Sequence, residues 1–152
     1  MCSPYSSSTI GKSDTVGVCG TSSDQGFWYE LGPGGTIVIG QSSNTFDSRH
    51  TLRYGGTYPG DNEVSCVDDP DYTTMTFTNT GASPMPVYFV VDGYATSSAG
   101  DFVLEWHISV LDLAKISRYD KQGVNRGNCS RNRKSLPVCV YTAAIVHQIP
   151  HH

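Results

Sequence analysis

Residues 85–110, MPVYFVVDGYATSSAGDFVLEWHISV, restrict the fold of this chain more than any other stretch. Phe102, Leu104, Trp106, Ile108 and Val110 alternate with Val103, Glu105, His107 and Ser109. Successive side chains of a strand point to opposite faces, so a period of two requires a sheet with one face in a core. Upstream, Met85, Val87, Phe89 and Val91 alternate with Pro86, Tyr88, Val90 and Asp92, which predicts a strand buried on one face and half covered on the other. Asp92-Gly93 and Ala99-Gly100 bound the Ser-rich connection, and the pattern predicts two long strands joined as a hairpin.

The rest of the chain adds short strands separated by turn clusters. Residues 26–31 (GFWYEL) alternate, Pro33-Gly34-Gly35 turns, and residues 36–40 (TIVIG) are β-branched. Residues 42–47 read as a polar loop, 49–54 as a returning strand, 55–61 (GGTYPGD) as a turn and 63–67 as a short strand. Residues 68–71 (DDPD) form an acidic turn before a strand at 73–78, and a further short strand is expected near 15–18. That is about eight strands at spacings near ten residues, the pattern of an all-β, eight-stranded antiparallel β-sandwich of jelly-roll type. Sixteen Gly, eight Pro and only 16% charged residues in 152 argue against helical bundles. The units expected are an N-terminal segment (1–25), the sandwich (26–110) and a C-terminal extension (111–152). In the extension, 111–119 suit a short helix, 122–134 a loop, and 136–148 (LPVCVYTAAIVHQ) have strand-like content.

Charge divides at the same boundary. Residues 1–110 hold three Lys or Arg against twelve carboxylates, and residues 111–152 hold seven against two. Such a basic tail suits packing on the acidic body of its own or a neighbouring subunit, which makes self-association through the termini the expected partnership. Nucleic acid is not expected as a partner, and no apolar run is long enough for a membrane span. The first residues have neither the basic start nor the apolar core of a signal peptide, although the composition looks secreted. The expectation is that Met1 is not the true start, or that a leader has been removed.

Of the five cysteines, none is spaced as CxxC. We pair Cys19 with Cys66 in the sandwich and Cys129 with Cys139 across a tail loop, leaving Cys2 free or bridging to another chain; spacing does not fix this connectivity. Disulfides imply an oxidising, extracellular or cell-surface location.

Seven blocks in series resemble the pre-peptidase C-terminal domain family: Trp28-Tyr29, residues 35–39 (GTIVI), Phe46-Asp47, residues 52–55 (LRYG), 66–69 (CVDD), 88–94 (YFVVDGY) and 100–104 (GDFVL). The resemblance covers residues 26–110 and implies an extracellular sandwich that is not itself catalytic. It says nothing of residues 111–152, and no peptidase sequence accompanies the blocks.

Candidate sites follow from residue chemistry. No GxSxG, HExxH or phosphate-binding Gly loop is present, so no enzyme is expected. Asp47, Asp68, Asp69 and Asp71, with Asp61 or Glu63, are hard oxygen donors suited to Ca²⁺; in the alternative, they build turns and cap backbone amides. Tyr54, Tyr58, Tyr72 and Tyr94 lie near turns, where rings stack on a sugar or lie along a protein fibre, or else cover the sandwich ends. Asn128 opens a glycosylation sequon, Asn128-Cys129-Ser130. The function expected is a structural module, a subunit of a filament, coat or adhesive surface layer. The alternative is a glycan- or protein-polymer-binding accessory domain of a secreted hydrolase.

Overall fold

A computed structural model of the chain describes residues 3–110, 129–130, 138–141 and 147–150. Eight strands occupy the body: β1 (Tyr5–Ser8), β2 (Gln25–Leu31), β3 (Thr36–Asn44), β4 (Ser48–Tyr54), β5 (Asn62–Val67), β6 (Met75–Thr78), β7 (Met85–Gly93) and β8 (Asp101–Val110). Three short strands follow in the extension: β9 (Cys129–Ser130), β10 (Val138–Tyr141) and β11 (His147–Gln148). All pair antiparallel, in two sheets. The first runs β6-β3-β8-β10-β9, with β1 also on β8; the second runs β11-β2-β7-β4-β5. The chain is an all-β sandwich.

The core lies where the alternation puts it. Phe102, Leu104, Trp106 and Ile108 of β8 are buried with Ile37 and Ile39 of β3 and Met75 of β6. Phe27 and Leu31 of β2, Leu52 of β4 and Val87, Phe89 and Val91 of β7 meet them from the second sheet. Phe27 and Phe102 touch edge-on across the sandwich at 6.0 Å between ring centroids. Each such side chain contributes roughly 1.5–3 kcal/mol when fully buried.

Two expectations are corrected. The stretch 85–110 is not a hairpin: β7 and β8 belong to different sheets. Both edges of β7 are taken by β2 and β4, and β8 pairs with β3 on one edge. Residues 94–100 therefore arch from one sheet to the other, longer than the two to five residues usual in a hairpin. Nor do residues 15–18 form a strand. The Asp24 carboxylate accepts hydrogen bonds from Thr15 N (2.6 Å), Thr15 Oγ1 (2.6 Å) and Val16 N (2.8 Å), satisfying donors that a ladder would otherwise need. The first strand lies earlier, at β1. Smaller shifts extend β3 through the expected 42–47 loop to Asn44, and put β9 inside the stretch read as loop at 122–134. The expected helix at 111–119 falls outside the described residues, as does Asn128.

The second edge of β8 is shared end to end by β1 and β10, one strand from each terminus. Between them, Trp106 N donates to Ser3 Oγ at 2.9 Å. β11 lies on the outer edge of β2, His147 stacks on Trp28, and Ile149 N donates to Gly26 O at 2.8 Å. The described parts of the extension thus pair with both sheets of their own sandwich. No helix among the described residues is long and apolar enough to cross a membrane.

The outer face of β7 is also buried. Tyr88 packs edge-on against Tyr58 and its hydroxyl donates to Gly56 O (3.0 Å). Residues 10–24 cross the same face as a strap, anchored by the disulfide between Cys19 and Cys66, whose Cα atoms are 5.8 Å apart. That pairing is the one expected, and a disulfide fits an oxidising compartment. In the extension, the register sets Cys129 opposite Cys139.

Candidate functional site

A serine, a histidine and an aspartate do come together, in an order that excludes a catalytic relay. Ser48 and His50 share a face of β4, and both are fully buried. Ser48 Oγ donates to Asp71 Oδ1 at 2.8 Å, and Ser48 N adds a second bond to the same oxygen at 3.2 Å. Asn44 Nδ2 and Gln41 Nε2 both donate to Ser48 Oγ, at 2.9 and 2.8 Å. Gln41 Nε2 also faces His50 Nδ1 at 3.4 Å, so the ring proton sits on Nε2 and is donated to Thr73 O (3.0 Å). A general base must reach the nucleophile's proton; here the serine proton goes directly to the carboxylate and both ring nitrogens are engaged elsewhere. Burial holds the His50 pKa below its ordinary value, against the opposing pull of Thr73 and Asp71. The group is a clamp fastening the β3–β4 corner to the loop after β5. Gln41, its hub, carries no sequence signal beyond lying on a strand.

The acidic loop gathers around an arginine. Arg49 donates to Asp68 Oδ2 (3.3 Å) and Cys19 O (3.3 Å), and its guanidinium lies over the Tyr94 ring, 4.5 Å from the centroid. Tyr94 N donates to Asp47 O at 3.1 Å, which closes the arch onto the β3–β4 turn. Partial desolvation, then repulsion from Asp71, Asp68 and Asp69, raises the Asp47 pKa; Arg49 opposes this. The four carboxylates are therefore electrostatic neighbours, but Asp68 is spent on Arg49 and Asp71 turns inward to Ser48. Glu63 instead pairs with Arg53 (2.8 Å), and Asp61 packs against Gly56. Among the described residues, no three His, Cys, Asp or Glu side chains form a group that could hold a metal ion.

The four tyrosines do not share one face. Tyr54 stacks on Phe77 at 4.5 Å and closes one end of the core, while Tyr58 is half-buried against Tyr88. Tyr72 and Tyr94 are 54% and 45% exposed, on the loops that carry Asp68–Asp71 neighbours and Arg49's partner ring. The exposed rim therefore consists of Tyr72, Tyr94, Arg49 and the carboxylates of Asp47, Asp68 and Asp69.

A second polar cluster lies beneath the strap, and sequence reasoning missed it. Asp92 is 1% exposed; its Oδ1 accepts from Ser22 N (3.1 Å) and Gly93 N (2.6 Å), while Oδ2 has no hydrogen-bond partner among the described residues. Burial, with the charges of Asp24 and Asp14, pushes its pKa up to about 6 despite those two bonds. Tyr58 Oη is buried nearby beside Thr15 without a well-formed hydrogen bond, and desolvation with the Asp24 and Asp92 charges raises its pKa. Gly20 and Gly26 make room: a Cβ at either would collide with Asp92 or with the Tyr58 ring. The DG pair at 92–93 reads as a turn in sequence, which hid the buried acid.

Neither the family models, the curated proteins nor the solved structures compared with the chain contain a match.

Proposed function

We propose that the chain is a non-catalytic extracellular module, akin to the pre-peptidase C-terminal domains, whose loop rim holds a glycan or protein polymer. The observation that carries this reading is the pairing of Arg49 with the exposed ring of Tyr94, with Tyr72 exposed on the neighbouring acidic loop. An aromatic face held rigid by a cation presents apolar area at little entropic cost, with hydrogen-bonding groups around it. The locked Ser48–His50–Asp71 clamp supports the non-catalytic half of the reading. Co-sedimentation with insoluble polysaccharides and with collagen tests the proposal. Wild type should pellet with at least one polymer and Tyr94→Ala with Tyr72→Ala should remain in the supernatant; equal pelleting of both proteins overturns it.

A second reading, a subunit of a filament, coat or adhesive layer, is favoured by the open edge of β5. Among the described strands it pairs only with β4, and Val64 and Cys66 are exposed on it. An unpaired edge is a template for strand addition from another copy. Light scattering of purified protein distinguishes the two: ordered assemblies without polymer affinity favour the second.

A further inference from the structure

The solvent face of the first sheet carries a shallow groove of about 430 Å³, bounded by Ser6, Ser8, Ser43, Thr45, Asp101 and Val103, none of which belongs to the tyrosine rim. Its layout follows from register. Ser6 and Ser43 flank Val103 on either side, and Ser8 lies beside Asp101. Thr45 N donates to Asp101 O (2.9 Å), carrying the pairing one residue past β3. Because Phe102 and Leu104 point into the core, the pleat turns Asp101 and Val103 outward with these hydroxyls. A bulge between Gln41 and Ser43 bends β3 here, and such bulges re-aim side chains. Ser6 and Ser43 stand roughly 10 Å apart, two strand spacings, with Val103 as an apolar floor between them.

The polar groups of the groove are unevenly committed. Thr45 Oγ1 accepts from Asp101 N (2.9 Å), and Ser8 Oγ donates to Gly100 O (3.2 Å). Ser6 and Ser43 make no side-chain hydrogen bond to other described residues. The Asp101 carboxylate is exposed, and among the described residues no cation pairs with it: the ion pairs there join Arg49 to Asp68 and Arg53 to Glu63. A carboxylate with no cationic partner among the described residues, set among hydroxyls on a body with three Lys or Arg against twelve carboxylates, suits a cationic polyol better than a phosphate or a uronic acid.

We propose that this groove binds one amino-sugar unit of a cationic polysaccharide. The ammonium pairs with Asp101, ring hydroxyls exchange hydrogen bonds with Ser6 and Ser43, and the C–H face of the ring covers Val103. The proposal deepens the polymer-binding reading and rests on it for the ligand class, but uses residues separate from the rim. The test is titration of the ¹⁵N-labelled chain with a glucosamine hexamer and, in parallel, its N-acetylated counterpart, which lacks the charge. Amide shifts confined to residues 6–8, 43–45 and 101–103 are expected. Asp101→Asn should weaken binding about fivefold, the scale of one exposed ion pair. Glu30→Gln, an exposed carboxylate on the other sheet, should leave it unchanged, and the acetylated hexamer should bind more weakly. Absence of shifts in the groove overturns the proposal, as does equal loss in Glu30→Gln and Asp101→Asn, which marks diffuse attraction to an acidic body. Shifts at Tyr72 and Tyr94 instead would overturn the groove and leave the polymer-binding reading standing. Groove shifts that persist in Tyr94→Ala, with polymer pelleting also retained, would uphold the groove and remove the rim.

Discussion

Asp92 and His50 are two buried ionisable side chains with opposite effects on stability. Asp92 has its folded pKa raised to about 6 from an ordinary value of 3.8. The native state therefore holds this proton more tightly than the unfolded chain does. Stability from this group is greatest below the unfolded value, declines as pH rises from about 4 to about 6, and stays low above that. The penalty at neutral pH is roughly 2–3 kcal/mol, from a shift of about two units at 1.36 kcal/mol each. Asp92→Asn keeps an oxygen for Ser22 N and Gly93 N and removes the charge. It should raise the melting temperature at pH 8, with the gain over wild type vanishing near pH 4; an equal gain at both values would show that charge is not the cause. His50 has its folded pKa lowered by burial. Its contribution is present above the unfolded value of 6.5 and is lost as pH falls through the folded one. The two slopes oppose each other over the mildly acidic range.

At the scale of elements, the arch between β7 and β8 sets which strands face each other. The residue just before it, Gly93 at the end of β7, is buried against Ser22 and the Ser98 carbonyl, and a Cβ there would collide with that backbone oxygen. Gly93→Ala should therefore move the arch and cost about 2 kcal/mol or more in chemical denaturation. A loss below 0.5 kcal/mol would show that the arch has room to relax. This same connection marks the limit of what sequence patterning tells. The alternation in β8 identifies Phe102, Leu104, Trp106 and Ile108 as the inward set, and all four are buried. Period two reports which face of a strand is covered but carries no information about which strand lies beside it. A Gly- and Ser-rich link of hairpin composition thus served a crossing between sheets. The strand expected at 15–18 failed for a related reason. Its β-branched residues were matched by a distant carboxylate, Asp24, and no local pattern announces that.

At the scale of the molecule, one covalent link holds the strap over the second sheet. Cys19 and Cys66 are separated by 47 residues. Closing a loop of that length in the unfolded chain is worth roughly 3–4 kcal/mol in the chain-entropy account. Replacing both cysteines by serine should lower the denaturant midpoint accordingly and open residues 10–24 to proteolysis first. Retained protection there would mean that Asp24 and Ser22 hold the strap unaided. The structure forms the expected Cys19–Cys66 bond, although spacing left that connectivity open. The site was legible only in part. Tyr72 and Tyr94 are exposed as turn tyrosines can be, whereas Tyr54 and Tyr58 are used by the core end and the strap. The acidic run at 68–71 is visible in any reading, but that Arg49 would neutralise it and Ser48 would claim Asp71 depends on strands brought together from afar.

β1 and β11, the first and last of the described strands, meet at one flank of the sandwich. Tyr5 of β1 donates its hydroxyl to Gln148 Oε1 of β11 at 3.1 Å, joining residues 143 positions apart. Tension applied between these residues would enter and leave the sandwich at neighbouring points. Such a load should first peel β1 from β8 and β11 from β2, the short edge pairings nearest the points of attachment. A tether attached there would yield softly while the core stayed folded.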